Sequence, residues 1–141
     1  MNIGKIISII HRKRQQFIKK QIKDLNLDIA ISDYPIVLIV NAKGKTGTTE
    51  IAHDYAMTKA QVSQSTKKLE ELGYITQSRN ENLRNRVDID ITPKGKILAE
   101  KLRAIQKEWQ ENNVKNLDTE TISNLYQVLE SIALATESED I

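Results

Sequence analysis

No cysteine occurs among the 141 residues, which excludes a disulfide framework, a thiolate metal site and cysteine redox sensing. Only two prolines and five glycines interrupt the chain, so long helices are expected. Aromatic residues make up 4%, too few for a platform on which single-stranded bases could stack. The longest apolar run, Ile36 to Val40, falls far short of the roughly 20 residues of a membrane span. Catalytic groups are equally sparse. The only histidines are His11 and His53, expected on different helices, and adjacent acids such as Glu70-Glu71 belong to a helix surface. No Ser/His/Asp order, helical His-Glu-x-x-His or zinc ligand set is present, so neither an enzyme nor a cofactor is expected. Gly44-Lys45-Thr46 looks like the end of a phosphate-binding loop, but that loop needs a glycine at position 39, where Ile39 stands.

What is present is globular: 39% hydrophobic and 28% charged residues, in a length that suits one domain. The net charge of +2 is unevenly spread. Residues 1–23 carry +7, 24–42 carry −3, 43–96 carry +3 and 97–141 carry −5. Opposite signs at the two ends favour their lying together. An Ile-rich start followed by His11-Arg12-Lys13-Arg14 reverses the charged-then-apolar plan of a signal peptide, so a cytoplasmic protein is expected.

Apolar periodicity places a first helix over residues 3–25, with Ile3, Ile6, Ile7, Ile10, Phe17, Ile18, Ile22 and Leu25 on one side. Its basic residues read most simply as a solvated face. Ser32 is expected to cap a second helix that Gly44 ends, and a short third helix runs from Gly47 or Thr48 to Tyr55. Thr58 with Gln61 forms a capping box for a fourth helix that stops at Gly73. Val62, Ser65, Thr66, Leu69 and Leu72 share one face of that helix; Ala60, Gln64, Lys67 and Glu71 share the other, flanked by Ser63 and Lys68. Tyr74–Arg79 and the strictly alternating Arg86–Ile91 read as a hairpin. Thr92 and Pro93 open a fifth helix to about Val114, and Asp118 caps a sixth. Two short helices joined by about three residues and followed by a hairpin make a winged helix-turn-helix. The expected class is mainly α with a small β-hairpin wing (α+β), with residues 32–93 as the winged unit and 1–31 and 94–141 as flanking helices.

This order resembles the MarR family, small bacterial winged-helix transcription factors. The resemblance rests on Glu50-Ile51-Ala52, Met57-Thr58-Lys59, Leu69-Glu70-Glu71-Leu72-Gly73-Tyr74-Ile75, Arg84 and Ile91-Thr92-Pro93-Lys94-Gly95. It is most specific over residues 46–96, and the flanking helices follow the family layout over nearly the whole chain. In the family's wing, Asp-x-Arg braces an arginine that enters the minor groove. Here that motif falls on Asn82-Leu83-Arg84, which keeps the arginine but replaces the acid by an amide that accepts without charge assistance. Ser65 and Thr66 stand where the family usually packs an aliphatic residue, so the fourth helix is expected to be held less firmly.

The resemblance implies a dimeric regulator of transcription, repressing from a palindromic operator on double-stranded DNA and responding to a small organic effector. Gln64 suits a bidentate contact to adenine, and Ala60 suits a thymine methyl. Ser63 and Lys67 are placed for bases or phosphates, Lys59 and Lys68 for phosphates, and Thr58 and Gln61, at the same helix start, are also expected among the DNA-binding residues. Arg84 and Arg86 are expected in or beside the minor groove. The effector region would include His11, Phe17, Tyr34 and Trp109, although a lone His or Trp is more often a packing residue. The first, fifth and sixth helices would form the homodimer. The alternative is a winged helix used for protein–protein assembly without DNA readout, which the modest +3 of residues 43–96 keeps open.

Overall fold

The protein was analysed as a computed structural model describing residues 1–79, 82 and 86–135. Six helices and three short strands follow in the order α1 (Ile3–Asp24), α2 (Tyr34–Lys43), β1 (Thr46–Gly47), α3 (Thr48–Asp54), α4 (Lys59–Glu71), β2 (Ile75–Arg79), β3 (Val87–Ile91), α5 (Pro93–Val114) and α6 (Thr119–Ala135).

The helix limits follow local chemistry. Asn2 accepts the Lys5 N–H at 2.9 Å to start α1, and Asp118 accepts the Thr121 N–H at 2.8 Å to start α6. The Thr121 hydroxyl first, and then this amide, hold the Asp118 carboxyl below its usual pKa. Thr92 caps α5 through the Gly95 N–H at 3.0 Å, with Pro93 at the first helical position. Gly44, at φ +75°, ends α2 in the left-handed region that glycine tolerates. The start of α2 differs from expectation. Asp33 rather than Ser32 is its N-cap, and the Asp33 side chain makes no capping bond to the helix.

The wing is larger than a hairpin. β2 and β3 pair antiparallel from Ile75↔Ile91 to Arg79↔Val87, and the two residues of β1 add on the other side of β3, Thr46 opposite Ile89. Thr46 is buried there, and the third strand ties the turn before α3 to the sheet.

One core joins the winged unit to the flanking helices. Ile18 and Ile22 of α1, Ile36, Val37 and Val40 of α2, and Leu98, Ala99, Leu102 and Ile105 of α5 pack with Ile51, Val62, Leu69, Ile75 and Ile89. The N-terminal half of α1 and the whole of α6 stay outside it, and no residue of α6 is buried. No described helix is long and apolar enough to cross a membrane.

Candidate nucleic-acid interface

The centre of the interface is α4, and its geometry begins at Thr58. The Thr58 hydroxyl accepts the Gln61 N–H at 3.0 Å while Gln61 Oε1 accepts the Thr58 N–H at 2.9 Å. Thr58 and Gln61 are thus committed to starting the helix, and a DNA contact falls to the remaining polar atoms of each. Just before them Ala56 turns the chain at φ +50°, a left-handed conformation that costs an alanine about 1 kcal/mol. Thr58→Ala should destabilise the fold by about 1 kcal/mol, read by thermal denaturation, because one helix-start amide loses its acceptor. An unchanged melting curve would mean that the cap is replaced by water at no cost.

Val62, Ser65, Thr66 and Leu69 are buried and Leu72 is half-buried. Lys59, Ala60, Ser63, Gln64, Lys67, Lys68 and Glu71 are exposed on the outside. The two faces read from the sequence are those observed. The expectation that Ser65 and Thr66 loosen the helix is corrected. Ser65 Oγ donates to the buried carboxylate of Asp33 at 2.5 Å, and Thr66 Oγ1 donates to the Ser63 carbonyl at 3.1 Å. Both hydroxyls are therefore satisfied inside the protein. The far end of α4 is tied as well, by the Gln77 N–H to Glu70 Oε2 at 2.7 Å and by Lys94 Nζ to the Leu72 carbonyl at 2.6 Å.

In the wing, Asn82 lies in an exposed turn, and Arg84 is outside the described residues. Arg86, expected in or beside the minor groove, is half-buried and tied to two carboxylates. Its Nε donates to Asp88 Oδ1 at 2.8 Å and its Nη1 to Glu50 Oε1 at 2.7 Å. The Asp88 hydrogen bond raises the Arg86 pKa further above its ordinary value. Glu50 also accepts from the Gly47 N–H and from Thr46 Oγ1. This carboxylate thereby joins β1, the start of α3 and the base of the wing. Glu50 was legible in the sequence as part of a motif, but nothing local marked Arg86 as its partner.

The four residues expected at an effector site lie on α1, α2 and α5. His11 is exposed on α1, Phe17 packs at the edge of the core, and Tyr34 is buried. Arg14 fills the space between the aromatic groups, donating to Tyr34 Oη at 3.2 Å and lying 5.6 Å from the Trp109 ring centre. A cleft of about 630 Å³ opens nearby, lined by Leu38, Lys43, Asp54, Tyr55, Arg103 and Gln106 among others. Burial raises the pKa of the Tyr55 hydroxyl, and the Lys43 ammonium bonded to Asp54 lowers that of the carboxylate. Among the described residues no group of three His, Asp or Glu side chains is placed to hold a metal ion.

The HxlR-like helix-turn-helix family matches residues 34–118. No curated protein sequence matches the chain. Among solved structures, the chain is similar to a MarR transcriptional regulator from Methanosarcina mazei Go1 at 24% identity, with 96% of this chain and 98% of that one covered and a TM-score of 0.85. A MarR family regulator from Listeria monocytogenes complexed with 26-mer DNA aligns at 19% identity, over 96% and 89% of the two chains, with a TM-score of 0.87. A mutant MarR from E. coli complexed with operator DNA aligns at 15% identity, over 92% of each chain, with a TM-score of 0.78. The architecture is thus the MarR-type winged helix that the sequence resemblance implied.

Proposed function

The chain belongs to the HxlR-like helix-turn-helix family, and from that premise we propose that it is a DNA-binding transcriptional regulator that sets α4 into a major groove. The observation that carries this reading is the exposed face of α4. It offers small, amide-bearing and cationic groups from Lys59 to Lys68 on a helix whose opposite face is buried. Gln64 reads a base edge, with adenine as its natural bidentate partner, and Ala60 meets a thymine methyl. Lys59, Lys67 and Lys68 hold phosphates, and Ser63 fits either role. Arg84 reaches the minor groove from the wing, while Arg86 keeps the wing's base in place. The DNA complexes of the Listeria and E. coli proteins, which share this architecture, support DNA binding by this chain.

The protein works as a homodimer on a palindrome, with half-sites about 10 bp apart. The exposed apolar residues of α1 and α6 support it, since a single protomer leaves Ile3, Ile6, Ile7, Leu125 and Leu129 in water. Repression relieved by a small organic effector is the fitting mode of control, with the cleft beside Tyr55 as its better-placed site.

Selection of duplexes from a random library at moderate salt tests the reading. A palindromic site is expected. Binding that fails to enrich any site, or that leaves duplex DNA unbound at low salt, would overturn it in favour of a protein-assembly module. Gln64→Ala should relax the preference at one base pair per half-site by about 1–3 kcal/mol and leave the salt slope unchanged. Uniform weakening across all sequences would instead make Gln64 a phosphate contact.

A further inference from the structure

The buried contact between Asp33 and Ser65 has a geometry that is unusual on both sides. An aspartate at an N-cap ordinarily accepts from the first amides of its own helix. Asp33 sits at the N-cap of α2 with helical backbone angles and makes no such bond. Its carboxylate, in a residue only 3% exposed, turns away and accepts from Ser65 Oγ at 2.5 Å and Ser32 Oγ at 3.3 Å. A serine in the middle of a helix ordinarily faces solvent or bonds back to its own carbonyls. Ser65 does neither and is directed across the core at a residue 32 positions away.

We propose that Asp33 is a positioning residue for base readout: its carboxylate fixes the roll of α4 through Ser65 without touching DNA. The proposal rests on the reading of α4 as the recognition helix. The apolar contacts beneath α4, through Val62 and Leu69, resist separation but are non-directional, so they hold the helix down better than they hold its rotation. A hydrogen bond to a carboxylate is short and directional. It acts on the buried side of the helix one residue from Gln64, whose exposed side chain is turned about 100° from that of Ser65. The polar ties from Glu70 to the Gln77 N–H and from Lys94 to the Leu72 carbonyl lie more than a turn further along. Asp33 is itself firmly placed. Its N–H donates to the Ala30 carbonyl at 3.0 Å, the neighbouring Tyr34 is bonded to Arg14 of α1, and Ile36, Val37 and Val40 of α2 are fully buried. The recognition helix is thereby referenced to α2 and, through Tyr34 and Arg14, to α1.

The test uses the full chain, a duplex selected by the wild-type protein and a scrambled duplex of equal length. In Ser65→Ala and Asp33→Ala the ratio of the two affinities should fall about tenfold, the scale of one well-placed base contact. Affinity for the scrambled duplex and the slope with salt should not change, because the phosphate-binding lysines are untouched. Asp33→Asn, which keeps an acceptor oxygen for Ser65, should recover most of the ratio. The double variant Asp33→Ala/Ser65→Ala should be no worse than Ser65→Ala alone, since both remove one interaction. That double variant also leaves no orphaned carboxylate and carries the test if Ser65→Ala proves unfolded by circular dichroism. An unchanged ratio, equal weakening on both duplexes, or additive losses in the double variant would each overturn the proposal. If the wild-type protein selects no site at all, it is the recognition-helix reading that falls, a result distinct from a selected site that the variants read equally well.

Discussion

Gly95→Ala should destabilise the protein by about 3 kcal/mol, seen as a melting temperature lower by roughly 10 °C. Helix propensity alone points the other way, because alanine in place of a helical glycine is worth about 1 kcal/mol. The packing decides the sign. A Cβ on Gly95 would lie 2.1 Å from the Tyr74 carbonyl oxygen and 2.7 Å from Ile91 Cγ1. Neither neighbour can give way cheaply. Tyr74 follows the glycine that ends α4 and accepts the Thr92 N–H at 3.0 Å, and Ile91 is the last residue of β3. Thr92 clamps the same junction, its hydroxyl donating to the Gly73 carbonyl at 2.6 Å while accepting the Gly95 N–H at 3.0 Å. The end of α4, the start of β2 and the start of α5 therefore meet within one glycine's width. Opening that junction should also shift the wing relative to α4, so DNA affinity should fall with stability. A variant that melts at or above the wild-type temperature would show that propensity outweighs the close approach.

Much of this architecture could be read from the chain because its helices carry their own boundaries. Thr58, Thr92 and Asp118 cap by short-range bonds, and Gly44 and Gly73 stop helices by a local backbone conformation, so a few adjacent residues settle each limit. The alternating strand up to Ile91 likewise announces one buried face. What was illegible depends on partners distant in sequence. β1 is two residues long, has no periodicity of its own, and exists because Ile89 and Asp88 pair with it. Ser32 and Asp33 are both good caps, and the choice between them turns on a serine 32 residues beyond Asp33. Ser65 reads as a poor core residue because nothing near it in the sequence points to Asp33 behind it, whereas Thr66 is satisfied by the Ser63 carbonyl of its own helix. Arg86 and Arg84 are two residues apart in a basic wing, and only the fold pairs Arg86 with Glu50. The surroundings of Tyr34 and Trp109 were hidden for a related reason: Arg14, distant from both in sequence, bonds to Tyr34 and lies over the Trp109 ring.

The combined variant Ile6→Asp/Leu129→Asp should be a folded monomer that has lost about a thousandfold in affinity for the selected palindrome. Within one protomer these positions cost little to change, since Ile6 is 55% exposed and Leu129 48% exposed. In the proposed homodimer their burial comes from a second copy. An amphipathic helix of 17 residues with nothing buried is marginal in water on its own, so the Ile122, Leu125, Leu129 and Ile132 stripe of α6 needs a cover. The apolar start of α1 is the natural one, because the net +7 of residues 1–23 complements the −5 of residues 97–141. Two aspartates in that seam would bury unpaired charges, which the dimer cannot accommodate. A monomer places only one α4 on the DNA, and the second half-site no longer contributes to binding, so the loss far exceeds that of any single base contact. Sedimentation equilibrium and circular dichroism separate assembly from folding. A variant that stays dimeric would remove α1 and α6 from the interface, and a monomer that binds the palindrome with unchanged affinity would show that one winged helix suffices.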